Sequence, residues 1–138
     1  MQEKKCIMAV DEGRKRIGIA LTDESGQIAF PYKTVDKISA LQTIISIIKE
    51  KHVKSIVIGL PFNVDGSKGF RYNETIQFAK ALKKRSNLPI IGVDERYSTE
   101  EAKELMNEYP GKRVYDIDAI EAFIILKRFL NNEKTYSI

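Results

Sequence analysis

Three apolar runs, CIMAV, RIGIALT and QIAFPYKTV, crowd into the first 35 residues, and the connectors between them are too short to hold a helix. Strands joined that tightly have to meander antiparallel, because a parallel pair needs a crossover of a dozen residues or more. The next two runs, KSIVIGLP and PIIGVDE, each follow a stretch of helical period. The order βββαβαβαα therefore predicts an α/β fold: a five-stranded mixed sheet with helices on both faces.

Within RIGIALT the bulky Ile17, Ile19 and Leu21 alternate with Gly18 and Ala20, giving one bulky and one close-packed face. Pro31 cannot donate to a ladder, so the third strand is expected at an edge or broken there. KSIVIGLP has the near-continuous apolar character of a buried parallel strand. The spacing predicts a helix over 37–51 with a stripe of Ile38, Leu41, Ile45 and Ile48, and a second over 70–86 with Tyr72, Ile76, Ala79 and Leu82 aligned. Ser98 and Glu101 match a capping box that would start a helix at Thr99. The last helix, about 117–131, carries Ile117, Ile120, Phe123, Ile124 and Leu130, with Asp116 as its candidate cap.

With 138 residues, 43% hydrophobic and 30% charged, the chain is expected to form one soluble globular domain over 1–138. Its longest apolar runs, such as IISII, fall far short of the roughly 20 residues of a membrane span. No signal-peptide pattern opens the sequence, and the single Cys6 sits in an apolar run; both favour a reducing, cytoplasmic setting. The net charge is +4, with bases gathered at RKR (14–16), KEKHVK (49–54) and KALKKR (80–85). The last two fit helix ends, where cations suit the dipole. The first suits either solvent or a phosphate.

Three acidic positions carry the chemistry. Asp11 ends the first strand, Asp94 and Glu95 end the last, and Asp118 lies in the first turn of the final helix. Parallel strands place such residues on one rim of the sheet. Each acid also has an ordinary structural role open to it: Asp11 before a Gly turn, Asp118 at a helix start. Asp94 and Glu95 point to opposite faces in strand geometry, so one of them aims into the rim and its neighbour is free to pair with Arg96. Carboxylates brought together repel, and Mg2+ or Mn2+ relieves this with hard oxygen ligands. Two such ions would stabilise the attacking and leaving oxygens of a phosphodiester without any histidine. His52 is the only histidine, Cys6 has no positioned base, and no Walker-type loop is present.

DEGRKRIG (11–18), GLPFNVDGS (59–67), DERYST (94–99) and DIDAIEAFIIL (116–126), in this order, resemble the YqgF family, whose members are described as Holliday-junction resolvases and pre-16S rRNA nucleases. The resemblance spans nearly the whole chain and implies an RNase H-like fold with a central acidic site. It implies Asp11, Glu95 and Asp118 as catalytic metal ligands, with Asp94 as the alternative to Glu95. Gly13 would permit the tight turn, while Arg14, Lys15, Lys68, Arg71 and Arg96 would meet nucleic acid. Asn63 and Asp65 would orient ligands or water, Asp65 having a plain Asp-Gly turn as its other reading. Two positions depart from the family pattern: Glu12 stands where relatives commonly have an aromatic residue, and Glu121 adds an acid to a stretch rich in small residues.

The function these features favour is a metal-dependent nuclease acting on pre-16S rRNA, with Holliday-junction DNA as the alternative substrate. Resolving a junction would call for a homodimer; trimming rRNA would not. Half of an actin-like ATPase and a non-catalytic nucleic-acid binder are the competing classes. The absence of a second Asp-x-Gly turn counts against the ATPase.

Overall fold

The computed structural model describes residues 5–108 and 115–138. Its strands are β1 (Ile7–Glu12), β2 (Arg16–Thr22), β3 (Ala29–Asp36), β4 (Ser55–Leu60), β5 (Ile90–Asp94) and β6 (Thr135–Ser137). The helices are α1 (Ala40–Lys51), α2 (Phe70–Ser86), α3 (Ser98–Glu108) and α4 (Ile117–Leu130). The sheet order is β3-β2-β1-β4-β5-β6. β1, β2 and β3 meander antiparallel, β4 and β5 add in parallel to β1, and β6 closes the far edge antiparallel to β5. The sheet thus has six strands where five were expected. The sixth is three residues long in a polar stretch, NNEKTYSI, too short to carry an alternation.

Alternation along the strands splits the core in two. Met8, Val10, Ile56, Ile58 and Leu60 meet α1 and α2 on one face. On the other, the smaller Ala9, Ala20, Val57 and Val93 meet Ala122, Ile125 and Leu126 of α4. Small residues let α4 lie close. At Gly18 an added Cβ would stand 1.8 Å from the main-chain oxygen of Asp118, so the start of α4 rests directly on β2. α3 packs on α4 in turn.

Several local expectations need correction. In α1 the buried residues are Ala40, Ile44 and Ile47, with Leu41, Ile45 and Ile48 flanking them. Ile38 is fully exposed. It lies in a 3-10 turn, Lys37–Ser39, whose tighter period throws it out of phase with the α-helix that follows. α2 buries Thr75 and Phe78 beside Ala79 and Leu82, whereas Tyr72 and Ile76 are partly buried. α4 turns Ala119, Ala122, Ile124, Ile125 and Leu126 inward, one step round from most of the expected residues. α3 already includes Ser98, and Glu101 N donates to Tyr97 O at 3.1 Å, so Ser98 stands inside the helix instead of capping it. Asp116 does occupy the cap position of α4 but makes no side-chain cap bond. Pro31 lies on an edge strand as expected, where the β2–β3 register slips by one residue.

Candidate active site

β1 delivers two adjacent acids to opposite faces of the sheet. Asp11, two residues after Ala9, shares the α4 face; Glu12, two after Val10, shares the face of α2. Their fates differ. The Glu12 side chain is 1% exposed and is met by Arg71 Nη2 at 2.9 Å, by Thr75 Oγ1 at 2.9 Å and by the Lys37 ammonium. Two cations balance its charge there, so Glu12 anchors β1 to α2 from a position that also borders the cleft, where its charge still reaches Glu95.

Asp11 has no such partners. It lines a cleft of about 330 Å³ together with Glu95, Asp118 and Glu121. Glu95 N donates to Leu60 O at 3.1 Å, fixing the residue at the strand exit. Its carboxylate lies over Gly59, where an added Cβ would be 2.7 Å from Oε2. Glu95 therefore faces the cleft. Asp94 faces away, its Oδ2 held by Arg96 Nη2 at 2.6 Å and Nε at 2.8 Å. Burial alone would raise the Asp94 carboxyl, but Arg96 holds it below its usual range. α4 supplies Asp118 and, three residues on, Glu121 on the same side of the helix. Asp118 Oδ2 accepts from Arg16 Nε at 3.1 Å, and Glu121 Oε1 accepts from Thr99 Oγ1 at 3.3 Å.

The acids disturb each other. Burial first, then the charges of Glu95 and Asp118, push Asp11 well above the usual aspartate range. Burial also raises Glu95, with Glu121 adding to it. Glu121 is pushed from 4.5 up to about 8, by burial and then by its hydrogen bond to Asp11. Between those two values the folded chain holds a proton that the unfolded chain has released, so this group's contribution favours folding at low pH and fades as pH rises towards 8. Thermal midpoints of the metal-free protein should fall over that window, and the fall should flatten in Glu121→Gln; identical profiles would contradict the assignment.

The expected phosphate ligands divide. Lys15 is exposed and makes no ion pair among the described residues. Lys68 is exposed beside the Tyr72 ring. Arg14 pairs with Glu74 at 3.2 Å but remains 61% exposed. Arg96 is tied to Asp94 and to Val64 O at 3.2 Å. Arg71 is committed: besides Glu12 it binds Glu74 at 2.8 Å and donates to the main-chain oxygen of Glu12 at 2.8 Å. These contacts hold α2 to β1, and Arg71→Ala should cost about 2 kcal/mol of stability in denaturant unfolding, the scale of lost hydrogen bonds to a charged group.

Asn63 and Asp65 also belong to the scaffold. Asp65 Oδ1 accepts from Ser67 N at 2.9 Å and Oγ at 2.6 Å, and Asn63 Nδ2 donates to Ser67 Oγ at 2.9 Å. With Gly66 at φ +87, they build the loop's own turn. Gly13 is needed for space: its N–H donates to Arg16 O at 3.0 Å, and a Cβ would come within 2.5 Å of that oxygen. Glu121 was not among the expected site residues; its spacing of three from Asp118 on a helix was the available signal.

A mixed sheet flanked on both faces, with acids converging at the exits of its parallel strands, defines an RNase H-like protein. Two solved structures of RuvC from Thermus thermophilus share the fold: one, in complex with a Holliday junction substrate, superposes with a TM-score of 0.59 over 97% of this chain and 99% of that one. The other gives 0.60 over 96% and 99%, and both are 7% identical to this chain, so the likeness is of fold alone. The family model described as "RuvX: Holliday junction resolvase" matches residues 5–132, and the chain belongs to this family, the YqgF family of the motifs. Among its relatives is a protein of Trichormus variabilis named "Putative pre-16S rRNA nuclease", 35% identical over 93% of this chain and 89% of its own length. A Roseiflexus protein of the same name is 34% identical over 93% and 95%.

Proposed function

We propose that this chain is a divalent-metal-dependent nuclease that hydrolyses a phosphodiester of pre-16S rRNA. The observation that carries this is the convergence of Asp11, Glu95, Asp118 and Glu121 in one cleft, where burial and then the neighbouring acids raise Asp11, Glu95 and Glu121. Among the described residues, no three acidic, histidine or cysteine side chains stand together as a ready-made ion cage. Asp11 lies against the carboxyl groups of both Glu95 and Glu121, and buried charges held that close call for a compensating partner. As donors they fit Mg2+ or Mn2+: hard oxygens, anionic, few, and open to solvent on one side.

Asp11, Glu95 and Asp118 would hold the metal, with Glu121 as a fourth oxygen donor. The metal would supply Lewis-acid stabilisation of charge developing on the phosphate oxygens. The protein's share is to fix those acids on a strand end, a strand exit and a helix seated on Gly18. Lys15, Arg14 and Lys68 would receive flanking phosphates, contacts that position a substrate without reading its sequence. The names of the relatives support rRNA as the substrate; the family description supports a four-way DNA junction. Among the described residues, no helix is long and apolar enough to cross a membrane.

The test is cleavage of a pre-16S 5′ leader RNA and of a four-way junction, with magnesium or manganese and with chelator. RNA cleavage that chelator abolishes and Glu95→Gln removes is the expected result. Junction cleavage without RNA cleavage would transfer the proposal to DNA, and cleavage of neither would refute it.

A further inference from the structure

Beside the cleft, the same end of the sheet carries aromatic rings with cations next to them. Four rings on the 61–69 loop, α2 and β6 each have a cation beside them. Arg14 Cζ lies 5.9 Å from the centroid of Phe70, Lys68 Nζ 5.2 Å from Tyr72, Arg96 Cζ 5.9 Å from Phe62 and Lys134 Nζ 5.2 Å from Tyr136. Phe62 stands 5.3 Å from both Tyr72 and Tyr136, centroid to centroid, and it also lines the acidic cleft. Phe62, Tyr72 and Tyr136 are themselves partly buried against the core on the α2 side, so of the four rings it is Phe70 that stands open to solvent. Three large apolar side chains at this end of the sheet face solvent: Val64 at 78%, Phe70 at 72% and Tyr97 at 59% exposure. Phe70 immediately precedes Arg71, whose guanidinium reaches the backbone beside Asp11.

An exposed phenylalanine flanked by a guanidinium contributes little to folding, but the pair suits a ligand that offers flat faces and negative charge together. Nucleotides do so. In a duplex the base faces are buried in their own stack, so only an unpaired strand can use such a ring. We infer that Phe70 is a stacking platform for an unpaired base next to the cleavage cleft, with Arg14 and Lys68 receiving the phosphates on either side. Resting on the nuclease reading for its place in the reaction, this names the substrate class: a single-stranded segment of nucleic acid entering or leaving the acids. The surface is physically separate from the carboxylates, and its binding can be measured without turnover.

The experiment is fluorescence anisotropy with short oligouridine, short oligothymidine and a blunt duplex, across a salt series with magnesium present, in an Asp11→Asn background. Phe70→Ala should weaken both single strands about tenfold, spare the duplex and keep the salt slope. Phe70→Trp should restore binding, and Lys68→Ala should lower the salt slope by about one. The inference is overturned if the protein shows no preference for unpaired strands, if Phe70→Ala costs nothing or costs both forms equally, or if tryptophan fails to rescue. Wild-type cleavage is read separately, so a failed nuclease reading and a failed stacking surface give different results.

Discussion

Asp11→Asn is expected to lower the cleavage rate about a thousandfold or more while raising the thermal midpoint of the metal-free protein. The two effects share one cause. The carboxylate is buried against Glu95 and Asp118, and burial and those charges drive it well above its ordinary 3.8. A folded-state value above the unfolded one means that the ionised side chain opposes folding, increasingly as pH rises past the unfolded value. Asparagine keeps the volume and removes the charge, so the variant's advantage should vanish in acid and grow towards neutral pH. The same substitution takes away an anionic metal ligand. Losing about 4 kcal/mol of transition-state stabilisation corresponds to three powers of ten in rate. Cleavage assays beside melting curves at several pH values check both halves. An unchanged rate would remove Asp11 from the chemistry, and a lower midpoint at neutral pH would contradict the electrostatics.

Among the described glycines, Gly18→Ala should be the most damaging change. Its Cβ would stand 1.8 Å from the Asp118 main-chain oxygen and 2.9 Å from the nitrogen of Ala119. Neither is the tip of a flexible side chain, so the start of α4 or the middle of β2 has to move. Overpacking that only displaces side chains costs about 1–3 kcal/mol, and backbone against Cβ belongs at or above the top of that range. A fall of the order of 10 °C in the thermal midpoint is expected. The activity that remains in the cold should fall as well, because Asp118 travels with the displaced helix end. A variant that melts with the wild type would mean that α4 is not seated on β2 at this point.

The architecture was legible because connector length decides strand direction, and RIGIALT showed its close-packed face directly. β6 was not, since three residues cannot display a period. The phase of α1 was lost where the 3-10 turn at Ile38 precedes the helix, a change of pitch that side-chain pattern does not announce. At the site, Asp11 and Asp118 could be read from their positions at a strand end and in a first helical turn. Whether Asp94 or Glu95 faced inward could not, because alternation says that they differ and not which is which. Arg71 looked like a phosphate ligand for a similar reason. Its partner Glu12 lies 59 residues away, and only the tertiary fold brings them together.

The sheet's two borders bear on how copies of this chain could associate. β3 is interrupted at Pro31 by a slipped register, and β6 offers only Thr135–Ser137. Continuing a sheet from one molecule into the next requires a long, flat row of open backbone donors and acceptors; β6 is too short for that, and on β3 the proline and the slip break the row near its start. Any pairing of copies through the sheet would therefore have to use the 33–36 half of β3, where the ladder to β2 is regular.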